Sequence, residues 1–495
     1  MLRSERMAGR VARRVLVATV ASWILVSGSA GALVPPEDDP FYVPPAGLAA
    51  QAPGTVLKSR AVTLMGTSPA STAAAHQLLY RTTDAHGKPI ATVTTVLLPR
   101  APARAARLVA FNQAYDSLTL ACAPSYKMQS PPSALRLVED EQAAGLLRRG
   151  WTVTIADYEG PESAWTVGRL SGQATLDAIR ATLRFAPAGL DAQTPAASMG
   201  YSGGAIPAMW ANGLWKTYAP EVNFVGIAAG GLPADLEEAL RRIDGSVFFG
   251  AAFGVLAGTI RGYPEHSAIV DRLLNARGKE ETAKAGRDAG GCSGSVTQAP
   301  FGRVADYFVG VRSGAELADL CEVQPVLAKT AITSGPVFGA PAFLYHEQHD
   351  QLAPVKAADD LVAFNCRRGV PIEYVRDPLG EHIVGGLTYA PVATRWLADR
   401  FDGKTVPNTC TERSMAGAAA APGPCASRRV VRYTLPRGAT RVRLLVGGNR
   451  TKVVRTGRVL AVSLVGLPRG RVSVKITARV GSRNYTRRST LHPCA

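Results

Sequence analysis

The chain has 495 residues, of which 46% are hydrophobic and 19% are charged, and its net charge is +18. This composition excludes intrinsic disorder for the bulk of the chain and allows more than one buried core. The charge is localised, because residues 426–495 carry 15 Arg, 2 Lys and no Asp or Glu. Residues 33–425 are near neutral, at −3. The composition therefore gives no reason to expect a nucleic-acid partner for the main body.

The first 32 residues have the pattern of a secretory signal peptide. Five arginines precede an uncharged, mostly apolar run at 15–26, and Ala30-Gly31-Ala32 is a small-x-small cleavage site. The run is too short for a spanning helix, and no later stretch reaches about 18 uninterrupted apolar residues. We expect a secreted protein, extracellular or associated with the cell envelope, without a transmembrane segment.

Seven cysteines follow the signal, and in an exported chain they are expected to be mostly oxidised. No Cys-x-x-Cys spacing occurs, so a zinc cage is not expected. The odd count leaves one thiol over. Cys425 and Cys494 bracket the basic tail, and we predict that they pair.

Strand-like and helix-like runs alternate through the main body, which we place at 33–412. The predicted strands are 90–98, 108–111, 151–156 and 223–228, and the predicted helices include 133–149 and 175–185. Strands that alternate with helices of 10–15 residues are typical of an α/β protein with a largely parallel sheet.

The pattern changes beyond the main body. Residues 413–425 are rich in Ala, Gly and Pro and are predicted to be a linker. Apolar and basic residues then alternate at 471–480, as in an antiparallel sheet with one wet face. Short strands near Val430, Val442, Val459 and Val472 predict a small, basic β-sandwich over 426–495.

The strongest local motif is the pentapeptide Gly200-Tyr201-Ser202-Gly203-Gly204. It follows a predicted short strand and precedes a helix-like run. A Gly-x-Ser-x-Gly sequence in that position is typical of a nucleophile elbow, where small neighbours allow a strained turn that exposes the serine hydroxyl. The same pentapeptide also occurs in ordinary turns, so the partners of Ser202 decide between the two interpretations.

A serine nucleophile needs a general base, and the base needs an acid that orients it. Asp350 follows a predicted strand at 341–345, and His382 lies in the loop after the next predicted strand, at 372–375. Serine, acid and histidine in this order, each after a successive strand, are typical of the α/β-hydrolase fold. We predict Ser202 as the nucleophile, His382 as the base and Asp350 as the orienting acid.

The segment from His346 to Asp350 is dense in metal-ligand residue types. A zincin motif places two histidines four residues apart on one helix face, whereas His346 and His349 are three apart in a predicted loop. We expect both histidines to be loop residues near the acid, and we expect neither a metal nor another cofactor.

A tetrahedral intermediate needs two donors for its oxyanion. The backbone N–H of Gly203, at the start of the elbow helix, is one candidate. The predicted strand at 108–111 leads into the loop at 112–117, which we expect to supply the other.

These motifs together resemble the secretory lipase family of fungi and actinobacteria, which includes the lipase A type of Candida. The resemblance covers roughly residues 39–399. Besides the elbow and the loops of Asp350 and His382, it is carried by Tyr115-Asp116-Ser117, Cys122-Ala123-Pro124-Ser125, Asp157-Tyr158-Glu159-Gly160-Pro161, Leu176-Asp177-Ala178-Ile179-Arg180 and Gly230-Gly231-Leu232-Pro233-Ala234-Asp235-Leu236.

The resemblance implies hydrolysis of acylglycerol esters by a Ser–Asp–His triad that matches Ser202, Asp350 and His382. The family's oxyanion aspartate falls on Asp116, with Gly203 as its partner. The fungal enzymes end in a C-terminal flap over the active site. This chain has the linker and the basic module instead, so interfacial activation is not implied.

The disulfides of the family imply pairing of Cys122 with Cys292 and of Cys366 with Cys410. With Cys425 and Cys494 paired as well, Cys321 becomes the odd thiol.

Ser202 and Asp350 are separated by 147 residues, more than two strands and two helices require. We predict a mainly helical cap at about 236–333. It contains the run 247–260, which is apolar on every face and is either a buried core helix or, as in the family's cap, part of the wall of an acyl tunnel.

We therefore expect a secreted carboxylic ester hydrolase of the triacylglycerol lipase type that forms an acyl-enzyme. Three alternatives remain: a short-chain esterase, a deacylase of envelope glycans, and a non-catalytic envelope-binding protein with a relic hydrolase domain. The module at 426–495 is expected to bind an anionic envelope or lipid surface, or else to be a solvated basic sandwich.

Overall fold

The computed structural model describes residues 33–66, 71–287, 292, 302–333, 335–410, 430–464 and 472–491. The predicted signal peptide (1–32) and linker (413–425) lie outside these residues, as do Cys425 and Cys494. The domain boundaries therefore stay predictions.

A mixed sheet of nine strands forms the centre of the main body, in the order β1-β2-β3-β5-β4-β6-β7-β8-β9. The pairs β1/β2, β2/β3 and β3/β5 are antiparallel, and every pair from β5 to β9 is parallel. The predicted α/β-hydrolase fold is confirmed. The strands are β1 (Val56–Ala61), β2 (Thr72–Thr83), β3 (Pro89–Pro99), β4 (Leu108–Asn112), β5 (Thr152–Ala156), β6 (Ala196–Tyr201), β7 (Phe224–Gly230), β8 (Ala342–Glu347) and β9 (Ile372–Asp377).

Helices connect the parallel strands and cover both faces of the sheet. Those before β7 are α1 (Pro124–Lys127), α2 (Ala134–Arg148), α3 (Gly168–Leu183) and α4 (Ala205–Tyr218). Between β7 and β8 the described residues form α5 (Leu236–Ile243), α6 (Ala251–Gly262), α7 (Ser267–Leu273), α8 (Ala276–Arg287), α9 (Val304–Tyr307), α10 (Gly314–Ala318) and α11 (Gln324–Thr330). Those after β8 are α12 (Val355–Cys366) and α13 (His382–Phe401).

The central strands are buried along almost their whole length and mostly apolar, because both faces of the sheet are covered. On β4, Leu108 and Ala110 pack into the cluster that contains α3, α4 and α12, whereas Val109 and Phe111 pack into the cluster with α2 and α13. Adjacent residues of a strand point to opposite faces, so one short apolar run supplies two cores.

In the nine-stranded sheet, β1 and β2 escaped prediction, and helix α3 is longer than predicted. β2 contains Gln77, which is buried in the sheet because its amide donates to Ser125 O at 2.5 Å and its oxygen accepts from Arg60. A polar residue at a buried position breaks the apolar pattern by which a strand is recognised in the sequence. Helix α3 begins at Gly168, seven residues before its predicted start. Position 168 must be glycine, because a Cβ atom there would collide with the indole of Trp210.

The helix predicted at 247–260 is α6, which begins four residues later, at Ala251. Val247 precedes it and is 56% exposed. One side of α6 carries Gly254 and Gly258, which rest on Trp165. A Cβ atom at Gly258 would collide with the backbone of Trp165, so glycine sets how closely α6 approaches that segment.

The C-terminal module consists of two antiparallel sheets around a core of its own, as predicted. Alternate residues of the strand Val472–Val480 face this core, including Val474, Ile476 and Ala478. The three-stranded sheet has the order β10-β14-β13 and the four-stranded sheet the order β12-β11-β15-β16. The strands are β10 (Val430–Thr434), β11 (Ala439–Val446), β12 (Asn449–Thr451), β13 (Val454–Thr456), β14 (Val459–Ser463), β15 (Val472–Val480) and β16 (Arg483–Leu491).

Two disulfides join the pairs that the family resemblance implies, Cys122–Cys292 and Cys366–Cys410. Cys321 is disulfide-bonded too, and none of the described cysteines is free. Four of the other six cysteines are paired among themselves, so this bond is incompatible with the predicted Cys425–Cys494 pair. The expectation that Cys321 carries the odd thiol is therefore wrong. It was reached by elimination along the sequence, whereas the fold decides which sulfur atoms come within bonding distance.

None of the described helices is long and apolar enough to cross a membrane.

The contact of Gly258 with Trp165 can be tested by comparing Gly258→Ala with Gly145→Ala. Both glycines lie inside helices, where alanine is favoured by about 0.5–1 kcal/mol. A Cβ atom at Gly145 would meet only the end of the Arg148 side chain, at 3.7 Å. We expect Gly145→Ala to leave the free energy of unfolding in urea unchanged or raised. Gly258→Ala should lower it by about 1–3 kcal/mol through overpacking; equal effects would contradict the close packing of α6.

Candidate active site

Ser202 lies in a sharp turn directly after β6, with a φ of 53° that is unusual for a residue with a side chain. Its neighbours must be glycines. A Cβ atom at Gly200 would collide with the carbonyl of Gly204, and one at Gly204 would collide with the carbonyl of Asn112. The turn therefore needs both glycines, and it holds the half-buried Ser202 at the carboxyl end of the sheet.

The fold brings Ser202, His382 and Asp350 into one hydrogen-bonded chain. Ser202 Oγ lies 2.7 Å from His382 Nε2, and His382 Nδ1 lies 2.6 Å from Asp350 Oδ2. These residues come from the carboxyl ends of β6, β9 and β8, which share one edge of the sheet. The arrangement is that of a nucleophile, a general base and an acid that holds the base in one tautomer.

Asp350 is held by more than its histidine partner. Its Oδ1 accepts hydrogen bonds from Leu352 N at 2.8 Å and Ala353 N at 2.7 Å. Burial raises the pKa of Asp350, but the hydrogen bond and charge of His382 outweigh this effect, so the pKa lies below its ordinary value. Asp350 is consequently ionised at neutral pH, as an orienting acid must be.

His382 is the first residue of α13, although the sequence placed it in the preceding loop. Burial lowers its pKa, while the hydrogen bond and charge of Asp350 raise it by more, so the net shift is upward. The backbone is fixed as well, because the Tyr201 hydroxyl donates to the His382 carbonyl at 2.7 Å. Tyr201, which entered the prediction only as part of the elbow, therefore ties the nucleophile turn to the base.

Asp116 faces the same site from the loop after β4. Its φ of 35° is strained, and its carboxyl comes so close to Gly203 that a Cβ atom there would collide with Oδ1. Trp165 donates its indole N–H to Asp116 Oδ1 at 3.0 Å. Burial raises the pKa of Asp116 to about 6, against the opposing effects of Trp165 and His382.

The loop that carries Asp116 is braced by neighbouring elements. Glu139 of α2 accepts a hydrogen bond from Ala114 N at 2.6 Å, and the Tyr158 hydroxyl donates to the Gln113 carbonyl at 2.8 Å. Burial raises the pKa of Glu139 to about 8. These contacts hold the loop in place beside the elbow.

His346 differs from its predicted role as a loop residue, because it belongs to β8 and is fully buried. With Glu347 and Asp350 it forms the cluster of potential metal ligands found among the described residues. Both of its ring nitrogens are engaged, since Nδ1 accepts from Leu232 N at 2.9 Å and Nε2 lies 2.8 Å from the Ala353 carbonyl. His346 thus supports the loop of Asp350 and offers no free nitrogen to an ion. His349, in contrast, is exposed in that loop.

Sequence reasoning missed two residues that adjoin the predicted site. Trp165 reaches Asp116 from a segment without a recognisable motif. Glu347 is buried beneath the start of α13, where a Cβ atom at Gly385 would collide with its carboxylate. Burial raises the pKa of Glu347 to about 7. Glu347 and Gly385 are 38 residues apart, and no local sequence pattern links two such positions.

An apolar cavity of about 130 Å³ lies between α5, α6, α7 and α11. Helix α6 contributes Ala252, Val255, Leu256 and Thr259 to its wall. These residues lie on a different side of α6 from Gly254, which packs on Trp165. One helix therefore separates the cavity from the indole that donates to Asp116.

Comparison with known proteins identifies the family. The profile described as "Secretory lipase" matches residues 132–409. "Lipase A" of Arthroderma benhamiae is 35% identical over 390 residues, covering 76% of this chain and 82% of the relative. "Secreted triacylglycerol lipase LIP4" of Malassezia globosa is 35% identical over 77% of this chain and 84% of the relative. "Probable inactive lipase MT1628" of Mycobacterium tuberculosis is 34% identical over 74% and 83%.

The fold also matches solved structures. The X-ray structure of Candida antarctica lipase A aligns with a TM-score of 0.71 and 29% identity, covering 77% of this chain and 89% of that chain. A rice cell wall degrading esterase from Xanthomonas oryzae, 18% identical with a TM-score of 0.56, shares the fold.

Proposed function

Because the chain belongs to the secretory lipase family and is an ester hydrolase of the lipase type, we propose that it is a secreted serine lipase. Its proposed substrates are acylglycerol esters, which it cleaves through an acyl-enzyme. The observation that carries this proposal is the continuous hydrogen-bonded chain from Ser202 through His382 to Asp350.

In the proposed reaction, His382 Nε2 takes the proton of Ser202 Oγ as this oxygen attacks the ester carbonyl carbon. The carbonyl oxygen becomes an oxyanion. When the C–O bond of the ester breaks, His382 returns the proton to the departing alcohol and the acyl group stays on Ser202. Water then attacks the acyl-enzyme with the same base, which releases the acid and restores Ser202.

The oxyanion is proposed to lie between the backbone N–H of Gly203 and Asp116. A charged carboxylate beside an oxyanion would repel it. The upward shift of the Asp116 pKa, to about 6, lowers the cost of keeping this carboxyl neutral during the reaction. Trp165, which donates to Asp116 Oδ1, fixes the orientation of the group.

The proposal predicts that Ser202→Ala abolishes ester hydrolysis, with a loss of about 10⁴–10⁶-fold in kcat on a soluble nitrophenyl ester. Asp350→Asn should lower kcat by about 10³–10⁴-fold, because the neutral amide no longer selects the correct tautomer of His382. Asp360→Asn on α12, which changes an aspartate that is ion-paired with Lys356, is the control and should retain activity. Retention of most activity by Ser202→Ala would refute the assignment.

A lipase for long acyl chains is favoured over a short-chain esterase or a glycan deacylase by the apolar cavity beside α6. We propose that this cavity accepts the acyl chain. The cavity lining does not include Phe249, which is buried and contacts the rings of Phe253 and Tyr307. It does not include Gly254 either, which packs against Trp165.

Ala252→Phe places a large side chain in the cavity wall. We expect turnover of palmitate esters to fall at least about tenfold relative to butyrate esters, since the bound chain loses apolar contacts. Ala276→Phe, at an exposed position on α8, serves as the control and should not change the ratio. An unchanged palmitate-to-butyrate ratio in Ala252→Phe would show that the cavity does not bind the acyl chain.

A non-catalytic role is the second candidate, because one relative carries the name of a probable inactive lipase. The short distances within the hydrogen-bonded chain at Ser202 argue for catalysis here. The Ser202→Ala comparison separates the two candidates.

We further propose that the basic module at 426–495 holds the protein on an anionic envelope or lipid surface. The segment carries +17, and the described arginines Arg450, Arg483 and Arg488 are exposed. Arginine binds phosphate and carboxylate through a planar, two-pronged group.

Changing Arg450, Arg483 and Arg488 together to glutamate should weaken binding to phosphatidylglycerol vesicles. Binding by the wild-type protein should also weaken steeply between 50 and 500 mM salt, since exposed charges are screened. The matched Lys triple variant keeps the charge and should bind nearly as well. Equal vesicle binding by the Glu and Lys variants would show that the module is a solvated sandwich.

A further inference from the structure

The outer face of α13 is unusual for a surface helix because it is apolar. Its inner face packs in the core through residues such as Tyr389, Ala393 and Trp396. Its outer face exposes Ile383, Val384, Leu387, Pro391 and Val392, with Thr388 among them. Within α13, which is described throughout, Arg395 is the first charged residue on this face. Surface helices normally turn charged residues to water, so this face indicates a partner.

The exposure is large and continuous with the preceding loop. Leu379 is 91% exposed, Ile383 61% and Leu387 55%. Helix α12, on the other face of the sheet, by comparison exposes the charged Lys356, which forms an ion pair with Asp360. The apolar surface, which we define as Leu379, Ile383, Val384, Leu387 and Val392, is therefore a local feature of α13.

The apolar surface begins beside the catalytic chain. His382 is the first residue of α13 and lies next to Ile383, and its Nε2 is 2.7 Å from Ser202 Oγ. At 1.5 Å per residue, the surface extends about 15 Å along the helix from the base. A partner seated here would meet the protein within about three helical turns of His382.

Charged residues line a groove along one side of this surface, between α2 and α13. Its lining includes Leu137 and Leu387, the three arginines Arg148, Arg149 and Arg395, and Glu141, which forms an ion pair with Arg148. The acidic neighbour Glu381 accepts hydrogen bonds from the backbone N–H groups of the first turn of α13. Its carboxylate therefore caps the helix. An apolar strip flanked by arginines complements acyl chains flanked by anionic head groups.

The described part of the main body ends away from the start of the apolar surface. Thr409 N donates to the carbonyl of Ile372, the first residue of β9, whereas His382 follows the last residues of β9. The last described residue of the main body, Cys410, thus lies near the amino end of β9, and the apolar surface begins after its carboxyl end.

We propose that the apolar surface of α13 is the surface by which this protein lies on a lipid–water interface. This inference rests on the proposed lipase function and adds a place of contact to it. It explains why large apolar side chains are exposed beside the base, since acyl chains at the interface would cover them while an ester reaches Ser202.

The test compares Ile383→Ser/Leu387→Ser with Val43→Ser, whose side chain is also 61% exposed in the wild type but lies in the N-terminal segment. Binding to vesicles of phosphatidylcholine with phosphatidylglycerol is measured by co-sedimentation at 500 mM salt, with each variant in a Ser202→Ala background. High salt suppresses the contribution of the basic module. Hydrolysis of a soluble butyrate ester and of a triglyceride emulsion is measured in the Ser202 background.

We expect the double variant to bind vesicles at least about tenfold more weakly, because two apolar side chains no longer leave water. Its emulsion rate should fall in parallel, while its soluble-ester rate stays within about twofold of the wild type. Val43→Ser should match the wild type in every assay. The double variant's thermal transition should also match that of the wild type, which separates lost binding from unfolding.

Unchanged vesicle binding by the double variant would overturn the proposal, and so would an equal loss in Val43→Ser. If the wild type sediments as a dimer and the double variant as a monomer, the apolar surface belongs to a second copy of the chain and the proposal is also overturned. Absence of soluble-ester hydrolysis in the wild type would refute the proposed function instead, independently of vesicle binding.

Discussion

The close approach of the Asp116 carboxyl to Gly203 is the constraint on which the rest of the site depends. It requires a residue without a side chain at 203, a strained backbone at Asp116 and a turn after β6 that only small neighbours allow. Each condition is costly alone, and all are met because the ends of β4 and β6 are adjacent in one rigid sheet. The sheet therefore supplies the rigidity that a preformed oxyanion site needs.

Trp165 extends this constraint from the site into the helical insertion between β7 and β8. Its indole donates to Asp116, while its ring and backbone receive Gly254 and Gly258 of α6. A different part of α6 lines the apolar cavity. The helix thus links the proposed acyl site to the proposed oxyanion site through one side chain, and packed interiors transmit such contacts because they contain little free space.

Charge and apolar surface are divided between different parts of the molecule. The body at 33–425 is nearly neutral, whereas 426–495 concentrates the positive charge. The exposed apolar residues of α13 lie beside the base instead. Attraction by charge acts over about a Debye length and is screened by salt, while apolar contact is short-ranged and persists in salt. The proposed roles are therefore separable: the module concentrates the protein at a surface, and α13 seats the active site on it.

The sequence by itself determined the fold class, the order of Ser202, Asp350 and His382, and the elbow, because strand periodicity and the glycines around a nucleophile are local requirements. It could not place Trp165 beside Asp116 or Glu347 beneath Gly385, and it gave no warning that the outer face of α13 is apolar where the helix is exposed. It also misjudged Cys321 and His346. These contacts join segments that are far apart along the chain and meet only when the sheet and helices pack. A local sequence pattern carries no information about such contacts. Tertiary structure alone decided them.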